Sequence, residues 1–173
     1  MSLVGIMLLA GSARLGDIVA AQKEFLLLGT YNPGYILVQP VAFVIFALSA
    51  VAETNRSPFD MPEAESELVA GFATEYSSFR FALFFMAEYI GMVMLSALAT
   101  ICFFGGWHGI LPSFVPPALN FFIKMYFLIF VFIWIRATLP RVRYDQLMSL
   151  GWKVLIPLAL VNIMLTALIK AAL

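Results

Sequence analysis

The chain has 173 residues, 63% of them hydrophobic and 12% charged, and its ten basic and ten acidic side chains sum to zero. Soluble domains carry about 45–50% apolar and about 25% charged residues, so a chain with seventeen Phe and nine Met has too little polar surface to cover a water-soluble globule. That excludes a soluble enzyme, a nucleic-acid binder with a basic face and a disordered tail. The lone Cys102 and lone His108 cannot supply an intrachain disulfide, a thiolate metal site or paired haem ligands.

A bilayer core of about 30 Å needs about 20 apolar residues in a helix. In chain order, Met1 to Ala10 is apolar but too short to span, and Gly11, Ser12 and Arg14 follow at once. It lacks the basic start and cleavage site of a signal peptide. We read it as the back end of a spanning helix, with a short re-entrant or interfacial helix as the alternative. Gly34 to Ala52 is the next candidate span, interrupted by Gln39 and Pro40. Phe81 to Phe104, Ala118 to Ile135 and Val154 to about Lys170 are three clean spans. The expected fold is therefore all-α: a polytopic membrane bundle with about four full spans and part of a fifth at the start. It forms one membrane domain over residues 1–173.

Basic residues in short loops set orientation. The segment 136–153 holds Arg136, Arg141, Arg143 and Lys153, whereas 105–117 holds none. The former is expected on the cytoplasmic or matrix side. Alternation places the acidic loop 53–80 on that same side, and 11–33 and the C-terminus on the other. Lys170 is expected to snorkel to an interface.

Seven of the ten acids fall within 36 positions: Glu53, Asp60, Glu63, Glu65, Glu67, Glu75 and Glu88. Phe59, Met61, Leu68, Val69, Phe72, Tyr76 and Phe79 are interleaved with them, which is unlike a solvated linker. Asp60-Met61-Pro62-Glu63 has the form of a helix start with a capping box, and Pro62 sits in the first turn. Glu63 and Glu67 then share a helix face and repel. The helix N-terminus favours ionised Glu63, while burial and neighbouring carboxylates favour protonation. Such opposed influences suit a coupled set of proton-exchanging groups; a wet acidic loop is the plain alternative.

Glu88 lies eight residues into an apolar span, where an acid costs about 2.5–3.5 kcal/mol even on the lenient insertion scale. Such a residue marks an ion or proton path. Lys124, also within a span, is expected either to snorkel or to pair with an acid on another helix. Arg56, one turn from Glu53, is its expected partner. Asn162 and Thr166 are expected to make interhelical hydrogen bonds, Cys102 to pack, and His108 to sit in an interfacial turn.

Three runs now carry a resemblance. Ala52-Glu53-Thr54-Asn55-Arg56-Ser57-Pro58-Phe59-Asp60 continues through Met61-Pro62-Glu63-Ala64-Glu65-Ser66-Glu67 to Phe72 and Thr74-Glu75-Tyr76. Phe84-Phe85-Met86-Ala87-Glu88-Tyr89 follows. The third runs from Trp134-Ile135-Arg136 through Leu139-Pro140-Arg141-Val142-Arg143-Tyr144-Asp145 to Met148. Together they resemble the quinone-site membrane subunit of respiratory complex I, the family shared by bacterial NADH:quinone oxidoreductases and the mitochondrial enzyme. The resemblance covers essentially the whole chain.

The resemblance implies a subunit at the heel of an L-shaped assembly, forming much of the tunnel through which quinone reaches the last iron–sulfur cluster. It implies a proton path through Glu53, Glu63, Glu65, Glu67, Glu75 and Glu88. It implies a quinone chamber lined by Arg56, Asp60, Phe72, Arg136, Arg141, Arg143 and Asp145. Quinone is then the substrate. Flavin and iron–sulfur clusters sit in partner subunits, with none bound by this chain. The partners are the hydrophilic iron–sulfur subunits, small membrane-arm subunits and the bilayer, in a bacterial cytoplasmic or mitochondrial inner membrane. Family members run to about twice this length, so either a further chain supplies the N-terminal half or this chain is a truncated reading of a longer one. Two competing readings are a membrane subunit of a related energy-converting hydrogenase or ferredoxin- or deazaflavin-linked oxidoreductase, and a structural anchor or transporter half. A transporter predicts an internal repeat, and none is found.

Overall fold

A computed structural model describes residues 1–24, 34–54, 58–59, 79–108, 116–140 and 142–172. Among them all regular structure is helical: α1 (Ser2–Ala10), α2 (Leu15–Glu24), a 3-10 turn (Gly34–Ile36), α3 (Pro40–Glu53), α4 (Phe79–Phe103), α5 (Pro117–Thr138), α6 (Tyr144–Leu150), a π turn (Gly151–Leu155) and α7 (Ile156–Ala172). Three stretches are long and apolar enough to cross a membrane: Phe79–Phe103, Pro117–Thr138 and the continuous Tyr144–Ala172. They match the three clean spans expected from hydropathy, the first stopping one residue short at Phe103.

The first two candidate segments differ from expectation: 34–52 does not form a full spanning helix, and 1–10 is one arm of a bent helix pair. α1 and α2 pass the same test only together, and they are bent by 64° where Gly11 takes a left-handed φ of 72°. The stretch 34–52 yields a helix of only 14 residues, because a 3-10 turn precedes it and Pro40 starts α3 in its first turn. Fourteen residues rise about 21 Å, less than a hydrocarbon core.

The remaining helix ends follow local chemistry. α4 stops before Gly105 and Gly106, both at positive φ. α5 begins with Pro117 and ends when Leu139, which precedes Pro140, adopts an extended conformation. The π turn sits just before Pro157. Proline offers no N–H and its ring crowds the carbonyl four residues back. The helix widens there instead, and the Ile156 N–H bonds to the Gly151 carbonyl, five residues back.

α4 packs along α5, α1 along α7, and α3 touches α1, α4 and α7. The core joins Ile6, Tyr35, Phe46, Ala99, Phe103 and Leu128. Phe43 meets Phe103 and Phe104 edge-on at 5.2 and 5.5 Å. Cys102 packs in this core, as expected. Long apolar faces remain outside it, Tyr126, Phe127, Phe130 and Trp134 on α5 among them, as suits helices surrounded by lipid.

One end of the bundle is tied by Gln22, 1% exposed, which uses its whole amide. Its Nε2 donates to the carbonyls of Ile101 at 2.9 Å and Ile18 at 3.3 Å; its Oε1 accepts from the Gly105 and Tyr35 N–H groups at 2.9 and 3.2 Å. Gly34 makes this junction possible. Its φ is +73°, and a Cβ there would collide with the Phe103 carbonyl and lie 2.8 Å from the Gly105 nitrogen.

Candidate functional site

The site is built at the opposite end, where α3 finishes and α4, α6 and α7 begin or pass. Glu53 is the last residue of α3. The chain turns at once, with the Thr54 N–H bonded to the Ala50 carbonyl at 3.2 Å and its buried hydroxyl donating to Val51 at 3.1 Å. Glu53 is exposed and borders two clefts. One, about 420 Å³, lies between α1, α3, α4 and α7 and is lined by Leu3, Phe46, Leu98 and Ala159. The other, about 470 Å³, lies between α3, α6 and α7 and is lined by Phe59, Leu147, Met148 and Trp152. Ser49, Glu53, Leu155 and Ile156 border both. A carboxylate thus stands between two largely apolar spaces, each large enough for an organic ligand.

The acidic and basic segments meet beside it. The Val142 N–H donates to the Pro58 carbonyl at 2.9 Å. Phe59 is buried next to that junction. Arg143 follows directly and precedes α6, with its N–H donating to Gln146 Oε1 at 3.4 Å. Asp145 lies in the first turn of α6 and Arg136 in the last turn of α5, each on the side its helix dipole favours. All three are exposed.

Glu88 lies nine residues into α4, about 14 Å from its start. It belongs to the face that carries Phe85, Met92 and Leu95, at the i, i+3, i+4 spacing of a protein-facing stripe, and its Oε1 is buried. Ser96 and Thr100 continue this buried face and return their hydroxyls to the carbonyls four residues back, at 2.8 and 2.9 Å. The structure therefore brings Glu53, Arg143, Asp145 and Arg136 to one end, with Glu88 a few turns inside. Arg56, Asp60, Glu63, Glu65, Glu67, Phe72, Glu75 and Arg141, with the expected helix start at Asp60, lie outside the described residues.

The lysine within a span acts differently from expectation. Lys124 is 5% exposed, too buried for snorkelling. Its ammonium donates to the carbonyls of Phe104 (2.7 Å), Gly106 (3.1 Å) and His108 at the end of α4. A cation there complements the unpaired carbonyls and the negative end of the helix dipole. Lys170 does the same for α1, reaching the carbonyls of Leu8 and Leu9. His108 sits in the turn after α4, as expected. Burial first, then the ammonium groups of Lys23 and Lys124, hold its imidazole below the ordinary value of 6.5.

Asn162 and Thr166 do bond across helices, and their partner is Gln39. Asn162 Nδ2 donates to Gln39 Oε1 at 3.0 Å, and Gln39 Nε2 to Thr166 Oγ1 at 2.6 Å. Gly5 makes room, since a Cβ there would lie 2.7 Å from Gln39 Oε1. Sequence reading passed over Gln22 and saw Gln39 only as an interruption. A glutamine amid apolar neighbours was the available signal, but its partners come from distant segments.

The chain matches the family described as NADH dehydrogenase over residues 1–167. It is 55% identical over 172 residues to the H subunit of the NADH-quinone oxidoreductase of Anoxybacillus flavithermus, covering 98% of this chain and 49% of that protein. The corresponding subunit of Geobacillus kaustophilus is 56% identical over 99% of this chain and 49% of its own length. That of Bacillus thuringiensis (strain Al Hakam) is 53% identical over 98% and 49%. The chain spans about half the length of the curated relatives it matches.

Proposed function

Because the chain belongs to the NADH dehydrogenase family, we propose that it is one half of the quinone-site membrane subunit of a proton-pumping NADH:quinone oxidoreductase. It lines part of the quinone chamber and couples quinone reduction to proton movement. Flavin and iron–sulfur clusters are carried by hydrophilic partner subunits, quinone is the substrate, and the assembly sits in the bacterial cytoplasmic membrane. Small membrane-arm subunits complete the surroundings.

The observation that carries this reading is the junction of the two charged segments at Pro58 and Val142, next to the clefts flanking Glu53. Reducing a quinone by two electrons creates a demand for two protons. The cations Arg136, Arg141 and Arg143 stabilise the negative charge that develops on the headgroup, and Asp145 lines the chamber beside them. Arg56, Asp60 and Phe72 complete the chamber. Glu63, Glu65, Glu67 and Glu75 form a coupled set beside it, and Glu53 and Glu88 pass charge into the bundle.

The test is native purification in mild detergent, with mass spectrometry of everything that travels with the chain and an assay of NADH-driven quinone reduction. A large assembly with flavin and iron–sulfur subunits and inhibitor-sensitive activity is the expected result. A chain that runs alone, or only with itself, overturns the reading.

A further inference from the structure

The seam where α1, α3 and α7 meet changes character along its length. At one end is the cleft of about 420 Å³ bordered by Glu53, with Leu3, Phe46 and Ala159 among its walls. One turn further along α1 and α3, Ile6 and Ala42 are fully buried in the core. Beyond them the seam turns polar. Asn162 Nδ2 donates to Gln39 Oε1 at 3.0 Å, Gln39 Nε2 to Thr166 Oγ1 at 2.6 Å, and Thr166 Oγ1 to the Asn162 carbonyl at 2.6 Å. These three bonds close a ring. Gln39 and Thr166 are each 4% exposed, and any further segment packed on the chain can only deepen that burial. Gly5 of α1 backs the ring, so closely that a Cβ there would lie 2.7 Å from Gln39 Oε1. One turn past Thr166, Lys170 ends the seam with its ammonium on the carbonyls of Leu8 and Leu9. Ala159 to Lys170 is a rise of about 16 Å, roughly half a hydrocarbon core.

A polar ring in line with a carboxylate can either carry protons or stop them. Carrying them takes groups that accept and release a proton, or water between the groups. Amide side chains do neither near neutral pH. The single hydroxyl hydrogen of Thr166 is committed to the Asn162 carbonyl, while its oxygen accepts from Gln39. The ring atoms bond one another directly, and Gly5 closes the space behind them. Lys170 adds a fixed positive charge at the mouth, the device by which a cation in a pore excludes protons.

We propose that Gln39, Asn162, Thr166 and Lys170 form a proton-tight plug in the half of the α1–α3–α7 seam away from Glu53. It denies a proton on Glu53 a straight path across the membrane and leaves the route towards Glu88. The proposal rests on the proton-carrying role given to Glu53 above, and adds what prevents that group from short-circuiting the membrane.

Asn162→Asp and Gln39→Glu keep the side-chain shape but put a titrating group into the ring. The complete assembly carrying either is reconstituted into liposomes, and proton entry after an imposed pH step is followed without NADH. Entry should be at least about threefold faster than with the unaltered assembly, since an acid within a span serves as a proton relay. With NADH and a short-chain benzoquinone, quinone reduction should stay within about twofold while the pH gradient reached falls by about half or more. Asn162→Leu, which is apolar, should stay as tight as wild type and keep pumping. Wild-type tightness in both acidic variants overturns the plug. Pumping lost in Asn162→Leu while quinone reduction persists shows a conduit, and overturns it too. Cryo-electron microscopy of the unaltered assembly gives a readout that needs no variant: no ordered water between Ala159 and Lys170 is expected, and a continuous file of water there overturns the proposal. An unaltered assembly without inhibitor-sensitive quinone reduction overturns the reading of Glu53. The pH step requires no turnover, so it separates that failure from failure of the plug.

Discussion

Val142 and Pro58, 84 positions apart, are joined by a backbone hydrogen bond of 2.9 Å from the Val142 N–H to the Pro58 carbonyl. This one bond sets the arginine-bearing segment against the start of the acidic loop. Removing the donor should uncouple them. Val142→Pro deletes the N–H, while Val142→Ala keeps it and trims only the side chain. We expect Val142→Pro to raise the KM for quinone severalfold and Val142→Ala to change it little. Equal effects of the two substitutions would show that the backbone bond is not what positions the chamber.

Glu88 sits on the protein-facing stripe of α4, where an ionised carboxylate is costly. Glu88→Gln keeps shape and polarity but removes the titrating group. Quinone reduction should persist within about twofold, and protons moved per quinone should fall at least threefold. Glu67→Gln should behave alike if the acids form one coupled path. An unchanged stoichiometry in both variants removes these residues from the path.

Lys124 holds three carbonyls at the end of α4. Lys124→Met keeps the apolar stem and leaves those acceptors buried without a donor. The loss should be about 2–4 kcal/mol, seen as a marked drop in the amount of assembled protein and earlier thermal inactivation. A Lys124→Met assembly as abundant and heat-resistant as wild type would mean that the cap contributes nothing.

His108 gives a pH dependence with a definite sign. Its folded-state pKa lies below the ordinary value of 6.5, because burial and then Lys23 and Lys124 oppose protonation. Between the depressed value and 6.5 the unfolded state binds more protons, so stability rises with pH across that window. It is fully present above 6.5 and declines as pH falls through the window. Going from about pH 7.5 to about pH 5.5 should therefore destabilise wild type more than His108→Gln, in thermal inactivation of the assembly. Parallel pH profiles would contradict this.

Hydropathy placed three of the spanning helices from the sequence alone, because the requirement for about twenty apolar residues is met within each segment and needs no partner. Gln39 and Pro40 were legible only as an interruption of a span from Gly34, whereas the helix begins at Pro40. The acids and arginines were legible as a candidate site because charges in so apolar a chain stand out singly. Partners were not legible. Snorkelling is a sound expectation for a lysine near a span end, yet Lys124 is buried and reaches the Phe104 carbonyl, because packing brings that helix end within range. The quadruple bonding of Gln22, the meeting of Pro58 with Val142, and the clefts either side of Glu53 all depend on contacts between segments far apart in the chain. A segment's composition decides whether it enters the membrane; which carbonyl, cation or carboxylate it then meets is decided only when the helices pack.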